Sequence, residues 1–309
     1  MKGKAPIFYW NPASQKEEEE SVYGQQGLHF LYGHSVMRTL TDLVLTRPLW
    51  SRLYGAYQSS LLSRHKIQPF IKSFNVRMGE YEGENFKSFN DFFIRKFRKE
   101  SRPFCETPHE MPAFAEGRFL AFADIREDQK FSIKGLRLTA TELLGSAEKA
   151  KAFEGGPLVI ARLCPSDYHR FHYPDDGKSL ETYRIPGKLH SVNPFALQSK
   201  GDILMTNERV VSLLETRNFG KLATVEVGAL CVGRIVQSHP SNTPFQRGDE
   251  KGYFLFGGST VILVGEPGRW KPEEEILKQT QKGRETFIKL GQKIGNTTEL
   301  YQANVSIAE

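Results

Sequence analysis

The stretch GYFLFGGSTVILVG, Gly252 to Gly265, decides how the second half of the chain is read. Aromatic residues run up to Gly257 and Gly258, and Ser259-Thr260 open a second apolar run. Apolar runs broken by glycine read as two strands meeting at a turn or bulge. Outward from this point the same texture recurs from about Pro112: GRFLAFADI, KFSIKG, GPLVIARL, TYRIPGKLHSV, RVVSLLE and KLATVEVGALCVGRIVQS. Turn residues separate these runs at short intervals, as in a barrel or sandwich-like core. Residues 272–294, PEEEILKQTQKGRETFIKLGQKI, are polar and helix-capable, with an interruption at Gly283.

Upstream the period changes. Leu28, Leu31, Met37, Leu40, Leu43 and Val44 recur at helical spacing, and Pro48 punctuates the run. The segment Phe86–Pro103, FKSFNDFFIRKFRKESRP, predicts a further amphipathic helix capped by Ser88 or Asn90. Residues 1–25 are polar and acidic and read as a mobile tail. The expected fold is therefore α+β: an N-terminal helical, membrane-associating region over 1–110, followed by a β-rich barrel or sandwich-like catalytic core over 111–309.

Composition excludes several classes. The chain has 309 residues, 39% apolar and 25% charged, which suits a globular protein with a sizeable core. No run of eighteen apolar residues exists, so no membrane-spanning helix is expected. The first twenty residues lack an apolar signal core. Cys105, Cys164 and Cys231 are odd in number and widely spaced, against a disulfide framework or a Cys-only zinc site.

The net charge of +6 is concentrated. From Met37 to Arg77 stand Arg38, Arg47, Arg52, Arg64, Lys66, Lys72 and Arg77, against the one acid Asp42. Trp50, Tyr54 and Tyr57 lie among these bases. Aromatics interleaved with cations suit a membrane interface, where rings sit at headgroup depth and cations meet phosphate. A helical hairpin packed on the core, with a solvated basic face, is the plainer reading. No nucleic-acid motif accompanies the charge.

The chain has no G-x-S-x-G elbow, no dinucleotide or phosphate-binding glycine loop and no H-E-x-x-H. Chemistry is concentrated instead in CPSDYHRFHYPDDG, Cys164 to Gly177. Asp167, His169, Arg170 and His172 fall within six residues, after the apolar run LVIARL. Two such histidines are a general base with a partner, or a metal pair. A metal-dependent hydrolase using Asp167, His169 and His172, with His190 in reserve, is one alternative. The second candidate is Ser259, after its two glycines.

Together these segments resemble the phosphatidylserine decarboxylase family, over about Phe86 to Ile294. FNDFFIRKF looks like the family's helix before the core. PSDYHRFHYP is similar to its histidine loop and is the most specific match. HSVNPFAL, NERVVSLLE and VEVGALCVGRI follow in the family's order. GGST stands at the family's processing site, with Gly257 where leucine is commonest.

The resemblance implies self-cleavage between Gly258 and Ser259. It yields a β chain of residues 1–258 and an α chain of residues 259–309, with Ser259 converted to a covalent pyruvoyl group. That group is the implied cofactor, and no metal is implied. His172, matching the second histidine of the loop, is expected to be the base, and His169, matching the first, to serve decarboxylation. The family's acid lies in a Pro-Ala-Asp-Gly segment. Here PAFAEG puts Glu116 in that place, with Asp124 as a substitute.

The residue types make sense physically. A serine hydroxyl needs a base to become a nucleophile. A neutral histidine serves near pH 7 when a partner fixes its tautomer. Glycines let a strained backbone present the carbonyl.

The implied activity is decarboxylation of phosphatidylserine to phosphatidylethanolamine, by a peripheral protein on the cytoplasmic face of a cell membrane. The expected partners are phosphatidylserine in membranes, an anionic lipid surface, the α and β chains of one precursor, and a second copy in a homodimer. Nucleic acid is not expected. An uncleaved relative that only binds anionic lipid is the other alternative.

Overall fold

The computed structural model describes residues 6–21, 41, 46, 48–126, 138–199, 201–230, 234–257 and 259–298. The helical pattern expected over 28–44, the run KFSIKG, Cys231, and Gly258 itself lie outside the described residues.

The strands are β1 (Phe8–Asn11), β2 (Lys16–Glu19), β3 (Glu110–Pro112), β4 (Gly117–Phe122), β5 (Leu158–Leu163), β6 (Arg170–His172), β7 (Gly177–Ile185) and β8 (Arg209–Thr216). They continue as β9 (Gly220–Val227), β10 (Ile235–Gln237), β11 (Pro244–Phe245), β12 (Glu250–Phe254), β13 (Ser259–Gly265), β14 (Trp270–Pro272), β15 (Glu285–Ile288) and β16 (Lys293–Thr297). Ten of them form one sheet in the order β11-β7-β8-β9-β13-β5-β4-β15-β1-β2. Two three-stranded sheets, β10-β12-β6 and β14-β16-β3, accompany it. The fold is α+β and sandwich-like. The large sheet is open, with β11 and β2 at its edges.

β5 and β13 are central, and all their residues are buried. Both read as continuous apolar runs because both of their faces are covered. Register places Ser259 opposite Leu163, at the end of β13 where Arg118, Arg162 and Thr260 stand side by side. Gly117 makes the β4–β5 approach possible: a Cβ there would lie 2.5 Å from the Arg162 carbonyl oxygen.

Three elements depart from the sequence reading. Residues 8–19 form the hairpin β1–β2, not a tail, and β1 joins the large sheet beside β15. What anchors it is Glu20. Its buried carboxylate meets Arg162 at 2.6 Å and Arg118 at 3.2 Å. The helix expected over 86–103 is only Phe89–Phe93, with a single 3₁₀ turn at Lys99–Ser101. Lastly, the helix after Pro272 stops at Gln281, because Gly283 takes φ +73° and turns the chain into β15 and β16.

The helical layer comprises α1 (Pro48–Gln58), α2 (Ile67–Phe74) and α3 (Phe89–Phe93). Ser88 caps α3, its side chain accepting from the Asp91 amide, while Asn90 points inward. Ile67, Phe70, Phe86, Phe89, Phe92, Phe93 and Phe256 make a second core between these helices and the end of β12. α1 is turned against the usual pattern. Ser51 and Gln58 are buried, whereas Leu49 is 63% exposed, Trp50 48% and Leu53 56%. The following turn leaves Leu61 and Leu62 each 74% exposed. These residues make an apolar surface, with Arg52 and Arg64 also exposed on it.

Candidate active site

The loop after β5 returns the chain to β6, and its backbone is held from two directions. Asp167 accepts from the Cys164 amide at 2.7 Å and is bound by Arg118 of β4. Arg95, just after α3, donates to the carbonyls of Ser166 (2.9 Å) and Asp167 (3.2 Å). The loop therefore presents His169 in one orientation.

His169 is fully buried and stacks on Phe93, with ring centroids 3.8 Å apart. Its Nε2 lies 2.9 Å from the Cys164 carbonyl and its Nδ1 lies 3.3 Å from Ser259 Oγ. A carbonyl oxygen can only accept, so Nε2 carries the proton and Nδ1 is left with a lone pair. Ser259 Oγ–H then donates to Nδ1. Burial, reinforced by the Arg95 charge, pushes the His169 pKa down to about 3. A neutral imidazole with its lone pair on the hydroxyl is a general base in waiting.

His172 is placed elsewhere. Its Nδ1 donates to the Gly248 carbonyl at 2.9 Å, and its Nε2 accepts from Tyr168 Oη at 3.4 Å. Burial also lowers its pKa. The alternation of the strand explains the split: His172 closes β6, while His169 precedes it and turns toward β13. Of the two loop histidines it is thus His169, and not His172 expected as the base, whose ring nitrogen reaches Ser259 Oγ.

Glu116 stands at the Ser259 end of the sheet, but its carboxylate is taken. Arg102 Nε and Nη2 reach it at 2.5 and 2.9 Å, and the Leu290 amide donates to it at 3.1 Å. Among the described residues no hydrogen bond joins it to either loop histidine. It lines a polar pocket of about 640 Å³ on the outer side of the loop, with Glu80, Arg102, Arg118 and Asp167. Asp124 is at the wrong end. Phe122 pairs with Leu158, which faces Val264, five residues along β13 from Ser259. Asp124 is bound to Arg126 instead.

Glu116→Gln is expected to act first on stability. Arg102 would lose the charge of a pair in which both side chains are 8% exposed, at a cost of about 3 kcal/mol. A thermal melt should show a drop of several degrees. An unchanged melting temperature with loss of processing would instead make Glu116 the acid of the site.

The metal-pair alternative finds no geometry. Among the described residues no three His, Cys, Asp or Glu side chains are grouped to hold an ion. Asp167 is committed to Arg118.

A buried serine at a strand start, with a neutral histidine on its hydroxyl and a Gly-Gly before it in sequence, lies within the span that sequence comparison matches. The family profile described as phosphatidylserine decarboxylase matches residues 89–296. The chain belongs to the phosphatidylserine decarboxylase family. Relatives include the phosphatidylserine decarboxylase proenzyme of Clostridium botulinum (strain 657 / Type Ba4), 37% identical over 292 residues, covering 94% of this chain and 99% of the relative. Those of Clostridium beijerinckii and Desulfitobacterium hafniense (strain DSM 10664 / DCB-2) are each 39% identical over 291 residues, covering 94% of this chain and 98% of the relative. The matches include both halves of the site, the histidine loop and the Gly-Gly-Ser-Thr corner. Phe93, Arg95 and Arg118 belong to this candidate site too. Sequence reading passed over them because nothing local shows that they contact a loop distant in sequence.

Proposed function

We propose that this member of the family is a self-processing, pyruvoyl-dependent phosphatidylserine decarboxylase. The observation that carries the reading is the 3.3 Å approach of His169 Nδ1 to Ser259 Oγ, with Nε2 tied to a carbonyl.

In the precursor, Ser259 Oγ attacks the Gly258 carbonyl carbon, and its proton passes to His169 Nδ1. The bond from Gly258 C to Ser259 N breaks, the nitrogen takes a proton, and an ester joins the two chains. Removal of the Ser259 Cα proton breaks the Cβ–O bond and releases Gly258 as a carboxylate. Water then displaces ammonia from the residue left at 259, giving the pyruvoyl group. Gly257, at φ +141°, gives the chain before the bond a conformation that side-chained residues rarely adopt.

The residues present suit such a group. β13 would hold it by its pairing with β5, and Phe93 and Phe256 line its surroundings with apolar rings. When bound, it supplies a carbonyl that captures the substrate amine and an electron sink for the loss of carbon dioxide. The chain's own part is to exclude water and to hold a movable proton beside residue 259, which falls to His169.

The substrate resides in a bilayer, and the outer face of α1 is suited to reach it. Among the described residues no helix is long and apolar enough to cross a membrane. The reading instead lays Leu49, Trp50, Leu53, Leu61 and Leu62 into the interface, with Arg52 and Arg64 meeting anionic headgroups. Replacing Leu53, Leu61 and Leu62 together by Ser should weaken binding to phosphatidylserine vesicles by about a hundredfold or more, at about 1.5–3 kcal/mol per side chain. Replacing Arg52 and Arg64 by Ser should weaken it in a salt-sensitive way. Vesicle sedimentation measures both, and unchanged binding would return this surface to a solvated face.

The reading as a whole is tested by following precursor made in vitro into two chains, and then assaying release of carbon dioxide from phosphatidylserine. A chain that binds such vesicles and never cleaves would instead be the lipid-binding relative.

A further inference from the structure

α3 touches the candidate chemistry at two points. Phe93 stacks on His169, and one turn earlier Asn90 reaches the backbone three residues before Ser259. Asn90 Oδ1 accepts from the Phe256 amide at 2.8 Å, while its Nδ2 donates to Ser59 Oγ at 3.2 Å. Ser59 in turn donates to the Gly55 carbonyl of α1 at 2.9 Å. Asn90 is buried, at 8% exposure, inside a helix of otherwise apolar buried residues. A polar side chain in such a place costs stability unless its bonds are made.

What Asn90 holds is the short connection between two strands. β12 ends at Phe254 and β13 begins at Ser259. Between them, the Leu255 amide bonds to the Arg234 carbonyl and the Phe256 amide bonds to Asn90. Gly257 follows, at φ +141°. The backbone leading into the Gly258–Ser259 bond is thus tied to α3 by the Asn90 side chain, while the Phe256 ring packs on Phe89 and Phe93 of the same helix.

We infer that Asn90 is a positioning residue for self-cleavage. It fixes the segment carrying the carbonyl to be attacked, and Phe93 fixes the base from the same helix. Attacking group, base and target are then referenced to one short rigid element, and through Ser59 to the helix bearing the exposed apolar face. Placement of this kind governs rate steeply, since a shift of about 1 Å can cost about a hundredfold. The inference rests on the self-processing reading.

The test follows conversion of freshly translated precursor into two chains, for wild type, Asn90→Ala and Asn90→Asp. Asn90→Ala should slow conversion by at least about tenfold. Asn90→Asp keeps an acceptor for the Phe256 amide and should recover most of the rate, which a merely space-filling role would not give. Melting curves of Asn90→Ala and Asn90→Asp, each in the non-cleaving Ser259→Ala background, show which variants fold. If wild type does not cleave, the self-processing reading falls. If wild type cleaves and Asn90→Ala keeps pace, Asn90 has no such role. If Asn90→Ala fails to fold, Asn90→Asp decides: a folded Asn90→Asp that cleaves near the wild-type rate upholds the role, and one that does not overturns it.

Discussion

Ser259→Ala is expected to leave one uncut chain of 309 residues with no decarboxylase activity. The substitution removes one oxygen from a fully buried position at the start of β13, where Ser259 makes its side-chain contact with His169. Alanine suits the strand pairing, so the fold should persist, with a melting temperature within a few degrees of the precursor's. Activity should vanish altogether, since the same oxygen begins cleavage and the same residue becomes the prosthetic group. Gel electrophoresis and a carbon dioxide release assay check the two halves independently. A cleaved and active Ser259→Ala would remove Ser259 from the account.

His169→Ala should slow processing by roughly 100- to 10,000-fold, the usual contribution of a general base. His172→Ala should cost less, because that ring bonds to Gly248 and Tyr168 and not to Ser259. Full processing without His169, and none without His172, would return the role of base to His172. The pH dependence carries a further signature. With its pKa held down at about 3, His169 stays neutral where a free imidazole would protonate. Processing should therefore keep its rate from pH 7 down to about pH 5, with no inflection near 6.5. A tenfold fall per pH unit below 6.5 would contradict the buried, neutral base.

Stability moves differently. The folded-state pKa lies below the unfolded one, so between about 6.5 and 3 the unfolded chain binds the extra proton. Stability is lost as pH falls through that window, by about 1 kcal/mol per unit for this histidine.

The core strands were legible because β5 and β13, buried on both faces, declare themselves as apolar runs. The site was legible in its residue types, since Ser259 and the histidine loop stand out in one dimension. The pairing between them was not. Which histidine meets the serine depends on where β6 begins, a matter of one or two residues that no local pattern fixes. Glu116 is singled out by its place in the family's acid segment, and its bond to Arg102, fourteen residues away, arises only through tertiary packing.

The hairpin β1–β2 was missed for a related reason. KEEEE looks solvated, and only the fold reveals that Glu20 is buried between Arg118 and Arg162. In α3, FNDFF was read as the start of a long amphipathic helix. Phe89, Asn90, Phe92 and Phe93 are in fact all buried, and the extended chain of Phe97 then pairs with Tyr81. A helix buried at four of its five positions is short because its neighbours set its length, not its own periodicity.

The most direct measurement is the intact mass of the purified wild-type protein. The account predicts two chains, residues 1–258 and residues 259–309, the smaller one blocked at its N-terminus and lighter than the free-serine fragment by the mass of one ammonia. A single intact 309-residue chain that stays uncut on incubation would contradict it.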